Sequence, residues 1–167
     1  MAGKRLTFTL VLGALLVGGF TFQAAASSSS HGKVLEFGTM APVVAPFTGP
    51  TNPIRGIGGG GVPWQISSGR GELSSNGDLK VEVRGLVIVA SRVNPIAAFR
   101  GVVNCLTPDS PVTGVNVVTD PVPATSNGNA RIDARLALPH PCIAPIVFVT
   151  NGGGAAPGAW FATTGTP

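Results

Sequence analysis

The chain has 167 residues, 11 Lys+Arg against 7 Asp+Glu, a formal net charge of +4 and no tyrosine. Its 24 glycines and 15 prolines argue against long helices. The arginines at 55, 70, 84, 92, 100, 131 and 135 are scattered and form no basic stripe with stacking aromatics, which argues against nucleic acid as a partner.

The chain opens MAGKRLTFTLVLGALLVGGFTFQAAASSSS. Lys4 and Arg5 form a cationic head, Leu6 to Phe22 carry no charge, and Ala24-Ala25-Ala26 supplies small residues for cleavage. That order is a secretory signal peptide over residues 1–26, cut after Ala26. The alternative is an uncleaved anchor, but a spanning helix wants about 20 apolar residues, and Gly13, Gly18 and Gly19 weaken this run. Export implies a secreted, extracellular or periplasmic protein with no membrane segment after cleavage. Removing Lys4 and Arg5 lowers the net charge to +2.

Residues 27–63 read as a flexible, Pro- and Gly-rich segment with room for one short strand. The run GIGGGG satisfies G-x-G-x-x-G at Gly56, Gly58 and Gly61. A dinucleotide loop must follow a strand and open a helix, whereas Val62-Pro63-Trp64 comes next, so the run reads as a plain loop.

Residues 64–167 read as one β domain. A strand near 64–73 leads through Asn76-Gly77, a hairpin turn whose residues tolerate positive φ, into a strand over 79–90. There Leu79, Val81, Val83, Val87 and Val89 share one face, and Lys80, Glu82 and Arg84 take the other. Further strands are expected at 96–106, 112–119, 130–138, 146–150 and 160–165. About seven strands with a turn every ten residues predict an antiparallel β-sandwich, immunoglobulin-like or related; a small barrel is the alternative.

Cys105 and Cys142 are the only cysteines. Both share parity with core-facing neighbours, and an exported chain meets an oxidising compartment, so they are expected to form a disulfide. A thiolate activated by His140 would need a lowered pKa, and zinc would need four ligands in short paired spacings, which two cysteines and two histidines do not provide. No metal or cofactor is therefore expected. No G-x-S-x-G occurs, and Ser67 and Ser68 fall on a predicted strand, so no catalytic residue can be assigned. Glu72 and Glu82 could oppose one another across the first hairpin as glycosidase carboxylates do, but Arg70 and Arg84 share their strands, which favours a solvated charge ladder.

Trp64 and Trp160 each start a predicted strand beside a Gly-rich loop. They could form an exposed ligand platform or plug the end of the core.

The runs GRGELSSNGDLKVEVRGLVI, NPIAAFRGVVNCL and GNARIDARLALPHPCIAPIVFVT together resemble a group of small exported bacterial all-β proteins of unassigned function, over about residues 50–165. The resemblance implies export and an all-β domain and carries no activity. The expected function is that of a secreted, non-enzymatic sandwich with a structural role or a contact to a cell surface or partner of unknown identity. The alternatives are a glycan- or small-molecule-binding module built on Trp64 and Trp160, and a secreted hydrolase using His140.

Overall fold

A computed structural model describes residues 32–164. The expected signal segment, His31 and the last three residues lie outside the described residues.

No helix occurs among the described residues. The strands are β1 (Lys33–Phe37), β2 (Ala41–Pro42), β3 (Trp64–Gln65), β4 (Ser68–Ser74), β5 (Asp78–Arg84), β6 (Val87–Ile88), β7 (Ala98–Thr107), β8 (Ser110–Val118), β9 (Val122–Pro123), β10 (Ala130–Arg135), β11 (Ile143–Asn151) and β12 (Trp160–Thr163). They build a four-stranded sheet in the order β1-β4-β5-β10 and a six-stranded sheet in the order β2-β12-β11-β7-β8, with β9 also beside β7. A two-stranded ribbon pairs β3 with β6. All pairings between these strands are antiparallel.

Alternation builds the four-stranded sheet. Leu79, Val81 and Val83 are buried, and Ile132 lies opposite Val81 on the same inner face. Lys80, Arg84, Arg131 and Asp133 point to solvent from the same two strands. The Asn76-Gly77 turn closes β4 onto β5. Gly77 has a φ of 87°, and the Asn76 side-chain oxygen accepts a hydrogen bond from the Asp78 amide at 3.2 Å. A Cβ at Gly77 would also collide with the Leu136 carbonyl oxygen, so both conformation and space demand glycine.

The hairpin expected over 64–73 and 79–90 exists but is broken. Ser68 pairs with Arg84 and Gln65 with Val87, so one register runs through, while Gly85 (φ 65°) and Leu86 leave the ladder. The break lets the far end turn inward, and Trp64 stacks on Phe161 with ring centroids 4.2 Å apart. The alternation holds as far as Val87, which is buried, and pairing ends at Ile88. Val89, expected on the inner face, is exposed.

The two sheets face each other. A Cβ on Gly101 of β7 would stand 3.2 Å from a Leu79 methyl and 3.3 Å from an Ile132 methyl across the gap. Phe99, Val103 and Cys105 share that inner face and are fully buried, which makes the fold an all-β sandwich.

β7 is buried on its outer face too, where Val102 and Asn104 are inaccessible to solvent. The cover comes from the chain before residue 64. β1 adds an edge to the first sheet, and β2 pairs with β12. Residues 43–57 then cross the outer face as a strap. Arg55 Nη1 donates to Asn104 Oδ1 at 3.1 Å, and Ile57 is 1% exposed. This corrects the expectation of a flexible segment ending at residue 63: from residue 33 onward the chain belongs to the domain. Met40, Val43, Phe47, Ile54 and Ile57 pack at irregular intervals between turns, so they carry no period that marks them as structural.

The strand expected over 130–138 stops at Arg135, and Pro139 and Pro141 follow. Residues 136–142 carry the chain from one sheet to the other. The Cys105–Cys142 disulfide fixes that crossing, with Cα atoms 4.8 Å apart. It closes a separation of 37 residues, and constraining a loop of that size in the unfolded chain stabilises the fold by about 4 kcal/mol in the chain-entropy model.

Candidate functional site

Trp64 and Trp160 do not form a platform. They are 3% and 2% exposed, and they lie on opposite faces of the six-stranded sheet. Trp64 packs with Phe99 and Phe161 on the inner face. Trp160 packs on Phe148, with ring centroids 6.3 Å apart, on the outer face beneath the strap. A register shift between Val149 and Thr150 separates the two directions, turning Phe161 inward while Trp160 stays outward. Neither indole can offer an open ring face to a sugar.

His140 is exposed and makes no hydrogen bond to a serine or carboxylate among the described residues. Ser67 and Ser68 are exposed on the broken hairpin, and neither makes a side-chain hydrogen bond to a histidine or a carboxylate among the described residues. No group of three His, Cys, Asp or Glu side chains among the described residues is placed to hold a metal ion.

Glu72 and Glu82 each face a cation and not one another. Glu72 lies opposite Lys80, and Arg70 lies opposite Glu82. Lys33 and Lys80 reach Glu72 at 3.2 and 3.3 Å, and Arg70 and Arg84 reach Glu82 at 2.6 Å. Hydrogen bonds from Lys33 and then Lys80 hold the Glu72 carboxyl below its ordinary value of 4.5. Arg70 and then Arg84 do the same for Glu82. Glu36 and then Glu72 raise Lys33 in return. A glycosidase acid needs a raised pKa to keep its proton near neutrality; these two carboxyls move the other way. The side chains frame a depression of about 270 Å³ on the outer face of the four-stranded sheet. Its chemistry is that of a self-neutralised ladder.

The two glycine-rich runs meet. Gly58, Gly59, Pro157 and Gly158, with Pro50 and Ile57, line a cleft of about 410 Å³ that contains no ionisable side chain. The Trp160 amide donates to the Gly58 carbonyl, and the Gly60 amide to the Trp160 carbonyl, both at 2.9–3.0 Å. GIGGGG therefore forms a seat for the strap against β12, with no helix to receive a phosphate.

The feature the sequence reading passed over is the free edge at β8. The other edges are blunted. β1 carries Lys33 and Glu36, β10 carries Arg131, Asp133 and Arg135, and β2 is two residues long and ends in Pro42. β8, SPVTGVNVV, has nine residues and no charge. Val112 is 79% exposed, and Val115 and Val118 are also exposed. From Val115 to Val118 the pairing with Cys105 to Val102 is regular. Before that, Gly114 (φ 71°) and Pro111 disturb the strand. Asp109 and Asp120 stand exposed just beyond its two ends. The signal was present in the sequence as an uncharged strand bracketed by two acids.

No helix among the described residues is long and apolar enough to cross a membrane. No protein-family model, curated protein or solved structure matches the chain.

Proposed function

We propose that this is an exported, non-enzymatic β-sandwich that acts by contact, in a structural role or against a cell surface or partner. Export rests on the N-terminal pattern, and the cross-linked cysteine pair supports it, since such bonds persist outside a reducing cytosol. Contact rests on one observation: the long, uncharged, valine-rich edge of β8 is left bare while the other edges carry charge or are very short. Bare edges template pairing with another chain, and soluble domains that have no use for one protect it.

The test is to immobilise the disulfide-intact protein and offer it envelope polymers, glycans and whole cells. Val115→Lys should weaken the binding found by about tenfold, because a lysine blunts the edge. Lys80→Ala, on the far sheet, should leave binding unchanged. Silence toward every preparation, or equal loss from both variants, removes the reading.

A further inference from the structure

We propose that the β8 edge receives an extended segment of a partner protein whose short uncharged run is flanked by basic residues, added to the sheet as a further strand. This rests on the contact reading above and names the chemistry of the partner. Three observations converge on it.

The first is the regular stretch Val115–Val118. It pairs residue for residue with β7 on one side, and no strand among the described residues pairs with it on the other. Alternate backbone N–H and C=O groups of an edge strand point outward and need a partner or water. The exposed valines beside them favour a β-branched or apolar neighbour over water.

The second is charge. Neither Asp109 nor Asp120 makes an ion pair or a side-chain hydrogen bond among the described residues. Glu36, Glu72, Asp78 and Glu82 have cationic partners, and the third acid without one among the described residues, Asp133, lies on β10 in the other sheet. Arg55, whose Nη1 reaches Asn104 on β7, has that group committed there. The strand itself is thus uncharged, with an acid just beyond each end and the Arg55 cation behind its outer face at Asn104.

The third is what this pattern excludes. A second copy laid antiparallel along β8, overlapping it end to end, would bring Asp109 of each chain to within a residue or so of the other's Asp120. Like charges meeting at both ends oppose that pairing. A strand with a lysine or arginine near each end meets attraction at the same two places. The strand rise of about 3.3 Å per residue puts those cations about eleven residues apart.

The probe is a fluorescent blocked peptide of about twelve residues, alternating valine with threonine or serine between two terminal lysines. Its counterpart carries glutamates at the ends. A third version is N-methylated on alternate residues, in both phases, so that it cannot join a ladder. Binding to the full-length, disulfide-intact protein is read by fluorescence anisotropy at low salt. The lysine peptide should bind about tenfold tighter than the glutamate peptide, and 0.5 M salt should erase most of that ratio. Asp109→Asn with Asp120→Asn should bring the ratio to about one, with an unchanged melting temperature showing that the fold is intact. N-methylation in the pairing phase should abolish binding.

Equal or tighter binding of the glutamate peptide would leave the edge as a docking strand and overturn the basic partner. Absence of binding by both peptides, or binding that survives N-methylation in both phases, would overturn strand addition, while the contact reading stands or falls separately on binding to the envelope polymers, glycans and cells. Sedimentation of the protein as a dimer that Val115→Lys dissociates would give the edge to a second copy and overturn the proposal.

Discussion

The two sheets of this sandwich keep water and neighbours away by different means. The four-stranded sheet leaves its outer face open and covers it with charge. Glu72 and Glu82 alternate with Lys33, Lys80, Arg70 and Arg84 across three strands, and each carboxylate touches two cations. The six-stranded sheet has almost no charge and hides its outer face under the strap, so that Val102, Phe148 and Trp160 form a second apolar layer. Charge needs only the right residue on every second position of a strand. A cover needs a separate piece of chain, and this one reaches Asn104 and Thr113. β8 is where the cover ends and no charge takes over. A free edge is thus the remainder of a particular way of closing the sheet.

The largest expected effect concerns the layer under the strap. Trp160→Ala should cost about 3–5 kcal/mol in urea unfolding, a large share of a typical domain stability of about 5–15 kcal/mol. A tryptophan on an open face would cost little. A loss below about 0.5 kcal/mol would mean that the outer layer is not built as described.

A glycine pair sharpens the same point at a smaller scale. A Cβ at Gly59 would overlap the Phe47 carbonyl oxygen and stand 2.7 Å from a Val43 methyl, with backbone that cannot step aside. Two residues along, a Cβ at Gly61 would meet nothing within 4 Å. Gly59→Ala should destabilise by about 1–3 kcal/mol, and Gly61→Ala should stay within about 0.5 kcal/mol. Equal effects would show that the strap is not seated on Gly59.

Which parts were legible in the sequence follows from the same contrast. The charged sheet announces itself, because alternation in DLKVEVR and ARIDAR is a one-dimensional record of which face meets water. The Asn76-Gly77 turn and the cysteine pair are equally local signals. The strap is not local. Met40, Val43, Phe47, Ile54 and Ile57 share no period, and the prolines and glycines that let the chain turn between them look like linker. A clue lay elsewhere. Val102-Val103 and Ile146 to Val149 are apolar on both faces, so the sheet that holds them needs a cover on each side. One cover is the other sheet, and the apolar residues of 40–57 were the unassigned ones available for the second. The tryptophans were ambiguous because an indole beside a glycine loop reads the same whether the loop opens a site or folds back over the ring. The β8 edge was undervalued for a different reason. Exposure is a property of neighbours, and strand order is not written in the strand itself.

The smallest effect tests the charged half of the comparison. The folded-state pKa values of Glu72 and Glu82 lie below their ordinary 4.5, through hydrogen bonds from Lys33 and Lys80 and from Arg70 and Arg84. A depressed carboxyl binds fewer protons folded than unfolded, so its stabilisation is present above pH 4.5 and is lost as pH falls through the lower, folded value. Lys33 has the opposite sign: raised above 10.5, it stabilises below that pH and ceases to do so as pH climbs past its folded value. These groups are open to solvent, so the ladder contributes weakly and should fade further in salt. The melting temperature should therefore be flat between the two limits and decline slightly below pH 4.5. Glu72→Gln with Glu82→Gln should flatten part of that acid decline, while Trp160→Phe should shift the whole curve without changing its shape. If the glutamine pair left the acid limb untouched, the ladder would be a pattern of the folded surface with no part in holding it together, and the strapped sheet would carry the stability alone.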